Sequence, residues 1–195
     1  MNAVCGLILA AGESRRMGFP KALLEFRGET FLDRLIGLFA EHCKPVVVVL
    51  GAEADRIRGG LRSGNRALVV ENPDYKLGQI TSMQRGLREV PADAPGVLFT
   101  LVDHPNVRSA TVAELIRTAA PLALPRYAGR RGHPLYFSRE LATEFLALDS
   151  ASSARVVLER HAAEIRYVDV DDPGILDDVD DPAAYQRLKT YDAER

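Results

Sequence analysis

Four short runs along the chain are almost purely apolar: Val4 to Ala10, Val46 to Leu50, Ala67 to Val70 and Val97 to Val102. A strand with one wet face alternates apolar and polar residues. Unbroken runs of this kind predict strands buried on both faces, as in a parallel sheet. Between them the apolar residues recur at helical spacing. Thr30 to His42 carries Phe31, Leu32, Leu35, Ile36 and Phe39 on one side, with Thr30 and Asp33 in capping-box positions. Further helices are predicted over Ala52 to Leu61, Ile80 to Glu89 and Thr111 to Ala119, the last with Thr111 and Glu114 in the same capping spacing. Strand and helix in alternation imply βαβ units, hence an α/β fold: a doubly wound, mostly parallel sheet with helices on both faces.

The rhythm loosens after residue 120. Prolines and glycines cluster from Pro121 to Pro134, and Pro134 to Phe137 reads as a strand. Helices near Arg139 to Leu148 and Ser152 to His161, a strand at Ile165 to Val170 and a helix from Pro182 complete the expectation. With no linker, repeat or low-complexity stretch in 195 residues, one domain over 1–195 is expected.

Composition narrows the function. Lys+Arg is 25 and Asp+Glu is 27, a formal net charge of -2, so bulk charge does not favour nucleic acid and any bound anion must meet a local cluster. No apolar run reaches the roughly 18 residues of a membrane helix, and the N-terminus lacks a basic segment followed by a long apolar one, so neither membrane nor export signal is expected. Cys5 and Cys43 are too few for a disulfide framework or a zinc site and suit a reducing cytoplasm; both read as small core residues.

Ligands of an open parallel sheet sit outside the carboxyl ends of its strands. The first such segment is Ala10-Ala11-Gly12-Glu13-Ser14-Arg15-Arg16-Met17-Gly18-Phe19-Pro20-Lys21. Small residues let backbone N–H groups face a ligand, and three basic side chains stand nearby, the means of holding a polyphosphate. It is not a Walker loop: Gly12 and Gly18 are six apart and Lys21 lies three beyond Gly18. No G-x-G-x-x-G occurs either. The plain alternative is a surface loop with solvated arginines. Asp103 ends another apolar run, well placed for a metal beside phosphates, although an Asp before His104-Pro105 also serves as a turn former. In Asp177-Asp178-Val179-Asp180-Asp181-Pro182, Asp181 reads as a helix N-cap, and Asp171 and Asp172 as turn residues.

The string Leu9 to Lys21 resembles the signature of the MobA-like nucleotidyltransferase family. Later segments are most similar to its molybdenum cofactor cytidylyltransferase branch: Asn72-Pro73-Asp74-Tyr75 with Gly78 and Ser82, the Asp103-His104-Pro105 turn, Gly132-His133-Pro134, and Val170 to Leu176 running into Asp178-Val179-Asp180. The likeness spans about residues 3 to 188, in order. It implies a Rossmann-like nucleotidyltransferase fold with a nucleotide-binding part at about 1–103, a substrate-side region at about 104–164, and a segment at 165–195 completing a metal site.

By this resemblance Arg16 and Lys21 contact the triphosphate, helped by the flanking Ser14 and Arg15, with the backbone of Ala11 and Gly12 near base or ribose. Gly78 and Ser82 lie on the base and ribose side, though Ser82, or Thr81 with Gln84, equally reads as a helix cap. Mg2+ is implied on Asp103, with Asp180 as the second ligand and Asp178 as the fallback. The implied catalytic set is therefore Arg16, Lys21 and Asp103.

Arg126, Arg130, Arg131 and His133 form the second local basic group, for a second anionic substrate or simply as a charged hairpin. His133 and Arg155 are candidate acceptor contacts. Relatives often have Gly-Asp-x-Gly-Ala-Arg before the corresponding helix, whereas Asp149 to Arg155 here reads Asp-Ser-Ala-Ser-Ser-Ala-Arg. The implied partners are CTP or another NTP, a molybdopterin-type or other phosphorylated acceptor, and transiently a molybdenum enzyme. Guanylyl transfer, a sugar or polyol phosphate acceptor, and a non-catalytic nucleotide- or cofactor-binding accessory role are the competing expectations.

Overall fold

The structure, a computed structural model, describes residues 3–193. Its strands are β1 Cys5–Ala10, β2 Glu25–Phe26, β3 Glu29–Thr30, β4 Val46–Leu50, β5 Leu68–Glu71, β6 Gly96–Leu101, β7 Leu122–Tyr127, β8 Arg130–Arg131, β9 Leu135–Ser138 and β10 Ile165–Asp169. The α-helices are α1 Phe31–Ala40, α2 Ala54–Gly60, α3 Gln79–Leu87, α4 Ser109–Arg117, α5 Arg139–Leu146, α6 Arg155–Arg160 and α7 Pro182–Ala193. Eight strands form one sheet in the order β10-β7-β9-β6-β1-β4-β5, with β8 paired to β7. β1 is parallel to β4 and β6, and β9 runs antiparallel between β6 and β7. This is the doubly wound, mostly parallel architecture expected from the sequence. None of the described helices is long and apolar enough to cross a membrane.

Successive residues of a strand point to opposite faces, and the core divides accordingly. Ile8 and Ala10 pack with α1, α2, α4 and α7, whereas Leu7 and Leu9 pack with α3, α5 and α6. Cys5 and Cys43 are buried small residues, and burial pushes both thiols up to about 12. Gly86 of α3 lies so close to β1 that a Cβ there would stand 2.3 Å from Leu7 Cδ1.

Some expectations change. β5 is the sheet edge, with Leu68 45% exposed, not a strand covered on both sides. The proline-rich stretch after 120 contains β7, buried over its first four residues. Pro125 contributes no ladder donor, but its carbonyl accepts the Gly132 N–H at 3.1 Å. Thr30 caps α1 by accepting the Asp33 N–H at 3.0 Å. Asp33 does not complete a reciprocal box; its carboxylate accepts the Thr30 hydroxyl and the N–H groups of Arg62 and Ser63. α4 begins before Thr111, which is no cap: its hydroxyl donates to Asp172 at 2.7 Å.

The chain runs outward from β1 to β4 and β5, then returns to β6 on the other side of β1. The strand order reverses between β1 and β6, and a crevice opens at their carboxyl ends. The segment before α7 is tied to the start of α4 through Asp172. This buried carboxylate caps the 3-10 turn Pro173–Leu176 through Gly174 N–H and also accepts from Arg108 N–H and the Thr111 hydroxyl.

Replacing Asp172 by Ala orphans three donors. We expect a loss of roughly 3 kcal/mol, since bonds to a charged acceptor contribute about 1.5–3 kcal/mol each before relaxation. Urea unfolding of the variant beside the parent checks this, and an unchanged midpoint would refute the role.

Candidate nucleotide site at the strand ends

The chain leaves β1 into residues 11–20 and turns through the 3-10 helix Lys21–Leu23. Ser14 organises this turn. It adopts a positive φ of 50°, its carbonyl accepts the N–H groups of Met17 and Gly18 at 3.0 Å, and its Oγ accepts the Lys21 N–H at 3.1 Å. The Lys21 side chain is thereby returned over the end of β1 toward β6.

The Lys21 ammonium donates to Asp103 Oδ2 at 3.0 Å and to Asp180 Oδ1. Asp103 follows β6. Asp180 reaches the same place because Val179 is buried and its N–H donates to the Asp103 carbonyl at 3.0 Å. Arg16 holds the other oxygen of Asp180. Asp181 accepts the Ala184 N–H at 2.8 Å, which is the N-cap read from the sequence.

Electrostatics follow from this packing. Burial acts to lower the Lys21 pKa, but the charge of Asp103 and the bonds to Asp180 and Asp103 outweigh it and hold it above the usual lysine value. The bond from Lys21 holds the Asp180 carboxyl below the ordinary carboxylate value, against partial desolvation and with help from Arg16. Asp178 is pushed the other way, first by burial and then by the charges of Asp103 and Asp180.

A cavity of about 300 Å³ lies beside this cluster. Ala11, Gly12, Ser14, Arg15, Arg16, Lys21, Ser82, Asp103 and Asp180 all line it, gathered from four distant stretches of chain. Arg15 is largely exposed and pairs with Glu13 at 2.6 Å. Ser82 is buried and not a cap; its Oγ accepts from Asn72 Nδ2 at 2.9 Å. Thr81 is not the cap either, since its hydroxyl contacts the carbonyls of Gly78 and Asp74. The Gln84 amide donates to the carbonyls of Phe145, Leu146 and Leu148.

Three predicted site residues stand outside the cavity lining. Gly78 is the N-cap of α3, at φ 131°. Arg155 begins α6, where its N–H donates to Ser153 Oγ at 3.2 Å. His133 donates its backbone N–H to the Ile175 carbonyl at 3.0 Å, and its ring stacks on His104 with centroids 4.4 Å apart. Burial pushes the His133 imidazole down to about 3, with the His104 charge acting in the same direction. Arg126 of the second basic group is held by Asp169 in a two-pronged pair at 2.7 and 2.8 Å.

Residues not singled out also line the cavity, notably Tyr75 and Gln79. Tyr75 lies in the quoted Asn72 to Tyr75 segment. It fits against Gly51, where a Cβ would stand 2.7 Å from Tyr75 Cβ. His104, adjacent to Asp103, was readable only as part of a turn.

The donor set suits a hard divalent cation. Asp103 Oδ1 is buried and has no hydrogen-bond partner among the described residues. Such an acceptor is costly to leave unmet and is the atom a cation would take.

The family model of the MobA-like NTP transferase domain matches residues 6–165. The chain belongs to this family and is a nucleotidyltransferase. It is 24% identical over 187 residues to the molybdenum cofactor cytidylyltransferase of Escherichia coli strain K12, covering 93% of each chain. It is 29% identical over 167 residues to the molybdenum cofactor guanylyltransferase of Sinorhizobium fredii, covering 80% of this chain and 75% of that protein. Among solved structures, it matches Rv0371c from Mycobacterium tuberculosis H37Rv at 30% identity and a TM-score of 0.84, covering 97% of this chain and 99% of that one.

Because the Lys21 bond is the largest cause of the Asp180 shift, Lys21→Ala should raise the Asp180 pKa, as read by carbon NMR of its carboxyl group. The depressed pKa makes the Asp180 ion pairs stabilising above the ordinary carboxylate range, with that contribution lost as pH falls through the lowered value. An unmoved Asp180 titration would show that Lys21 does not govern it.

Proposed function

We propose that this chain transfers CMP from CTP to the terminal phosphate of a phosphorylated acceptor, with molybdopterin cofactor as that acceptor, and releases pyrophosphate. The observation carrying this reading is the Lys21 ammonium between Asp103 and Asp180 at the edge of a cavity lined by residues of the 11–21 loop. Positive charge, a pair of carboxylates and closely approachable backbone are the requirements of a triphosphate with its cation. The preference for cytidylyl over guanylyl transfer rests on the near full-length likeness to the Escherichia coli protein and on the Gly132-His133-Pro134 and Val170 to Leu176 segments.

In this reading an oxygen of the acceptor phosphate forms a bond to the α-phosphorus of CTP as the α–β anhydride bond breaks. No strong general base is required, because a phosphate monoester with a second pKa of about 6 is largely dianionic at neutral pH. Arg16 and Lys21 offset the negative charge that grows on the departing pyrophosphate. Backbone at Ala11 and Gly12 holds base or ribose, and Arg15 stands at the cavity mouth. Ser14 acts by fixing the turn that presents Lys21. Gly78 and Ser82 set the base side through the start of α3. A bound Mg2+, held by Asp103 and Asp180, would neutralise phosphate charge and align the reacting oxygens.

His133 contributes by supporting His104 and the segment before Asp180, and Arg155 lies on the acceptor side. Guanylyl transfer is the second reading, favoured by the 29% identity to the Sinorhizobium fredii enzyme.

Pyrophosphate release is to be measured for the four NTPs with molybdopterin, sugar phosphate and polyol phosphate acceptors, with products identified by mass. CTP with molybdopterin should give the fastest release and a cytidylyl product. Lys21→Ala or Asp103→Ala should leave a folded protein with release slowed about 10²–10³-fold, by analogy with loss of one transition-state donor. Full activity of Asp103→Ala would remove its assigned role. Nucleotide binding indifferent to magnesium, without turnover, would favour an accessory binding role.

A further inference from the structure

A second cavity, of about 470 Å³, lies on the face of the sheet covered by α1 and α4, and none of its lining residues also lines the nucleotide cavity. Four arginines border it, each carried by a different stretch of chain. Arg27 comes from the turn between β2 and β3, Arg34 from α1, Arg66 from the 3-10 turn Gly64–Arg66, and Arg108 from the residue before α4. Glu29, Glu41 and Asp172 share the lining. Asp172 is already engaged, since it accepts from the Arg108 and Gly174 N–H groups and the Thr111 hydroxyl. The side chains of Glu29 and Glu41 are 53% and 58% exposed, so water screens their charge.

The guanidinium groups are oriented by contacts that leave their charge in place. Arg34 Nε donates to the Pro105 carbonyl at 2.9 Å, and Arg108 Nη1 donates to the Asp171 carbonyl. Arg27 and Arg34 both lie against the buried Phe26 ring, 4.9 and 5.2 Å from its centroid. Arg66 makes one side-chain hydrogen bond among the described residues, to the Gly37 carbonyl at 3.5 Å, and no ion pair among them. A carbonyl aims a guanidinium without cancelling its charge. The planar fork that remains matches pairs of phosphate oxygens. α4 also begins at this wall, and the amino end of a helix adds partial positive charge. Forks arriving from several directions suit an anion with many oxygens and more than one charge.

We propose that this cavity binds a diphosphate group, through Arg66 and Arg108, at a site separate from the nucleotide cleft. Inorganic pyrophosphate and a nucleoside diphosphate both carry that group. Asn106 and Pro173 belong to the same wall, and Asn106 Nδ2 donates to Asp177 Oδ2 at 2.8 Å. An anion seated there would link α1 and the turn before β5 to the segments that follow Asp103 and precede Asp180. Occupancy therefore stabilises the folded chain. The site draws on no residue of the transferase reading above, so the two stand or fall separately.

The full-length protein, freed of metal and nucleotide, is titrated with inorganic pyrophosphate and followed by calorimetry and thermal unfolding. The Lys21→Ala variant takes the ammonium from the nucleotide cleft, so the second site is read alone. This variant should bind one pyrophosphate per chain and melt at a higher temperature with it. Adding Arg66→Gln and Arg108→Gln should weaken that binding at least about tenfold, the scale of losing charge-assisted hydrogen bonds, and should remove the thermal shift. Arg66→Gln alone gives up one long hydrogen bond, so it keeps the fold and should weaken binding by itself. CDP in place of pyrophosphate shows whether a free or a nucleoside-borne diphosphate is preferred, and arginine-dependent binding of either one upholds the site. Citrate, a polycarboxylate, should compete only weakly, and equal competition would overturn the assignment to phosphate. A Lys21→Ala protein that binds neither pyrophosphate nor CDP would overturn the proposal, as would unchanged affinity after both arginine substitutions. Arginine-dependent binding in a protein that turns over no NTP would uphold this site while removing the transferase reading.

Discussion

An ammonium with side-chain exposure of 12%, held between two carboxylates, is the contact around which the cleft is organised. Its partners lie 82 and 159 residues from it in the chain. Desolvating a lysine is unfavourable, and it stands here only because Asp103 and Asp180 offset the loss of water. The Lys21 bond also depresses the Asp180 carboxyl, whose other oxygen holds Arg16. The β1 loop, the end of β6 and the approach to α7 therefore behave as one electrostatic unit.

That unit depends on backbone geometry. β1 and β6 are adjacent because the chain reverses its winding between them, so their carboxyl ends open the same crevice. Asp180 has no such guarantee, because it follows an edge strand and a 3-10 turn. It is delivered by a chain of local contacts. Asp172 ties the turn to α4, the Ile175 carbonyl receives His133, and the Val179 N–H meets the Asp103 carbonyl. The Gly132-His133-Pro134 segment thus acts as a brace for the acidic loop and for His104. This accounts for its position outside the cavity lining.

Much of the fold was legible for a simple reason. A run such as Val46 to Leu50 has no polar face, so a strand covered on both sides is the natural way to bury it, and the intervening helices announce themselves by spacing. Asp181 before Pro182 could be read as a cap because capping depends on neighbours a few residues away. Legibility failed where a residue's partner is remote. Thr111 and Thr81 have capping-box spacing, yet Thr111 bonds to Asp172 and Thr81 bonds to carbonyls near the start of its own helix. β7 was hidden by Pro125 within it and Pro121 before it, whose unfavourable local preference is overridden by pairing with β9 and β10. β5 looked like its neighbours, but order within a sheet decides which strand is the edge.

The sequence by itself determined the alternation of strand and helix, the loop of small and basic residues after β1, and the acidic residues available to a cation, because each is a property of neighbouring residues. Tertiary structure decided which carboxylates meet Lys21, that the two oxygens of Asp103 face different surroundings, and that His104 and His133 stack. Those outcomes depend on strand order and on contacts between segments far apart in the chain, whose relative placement only packing of the whole sheet fixes.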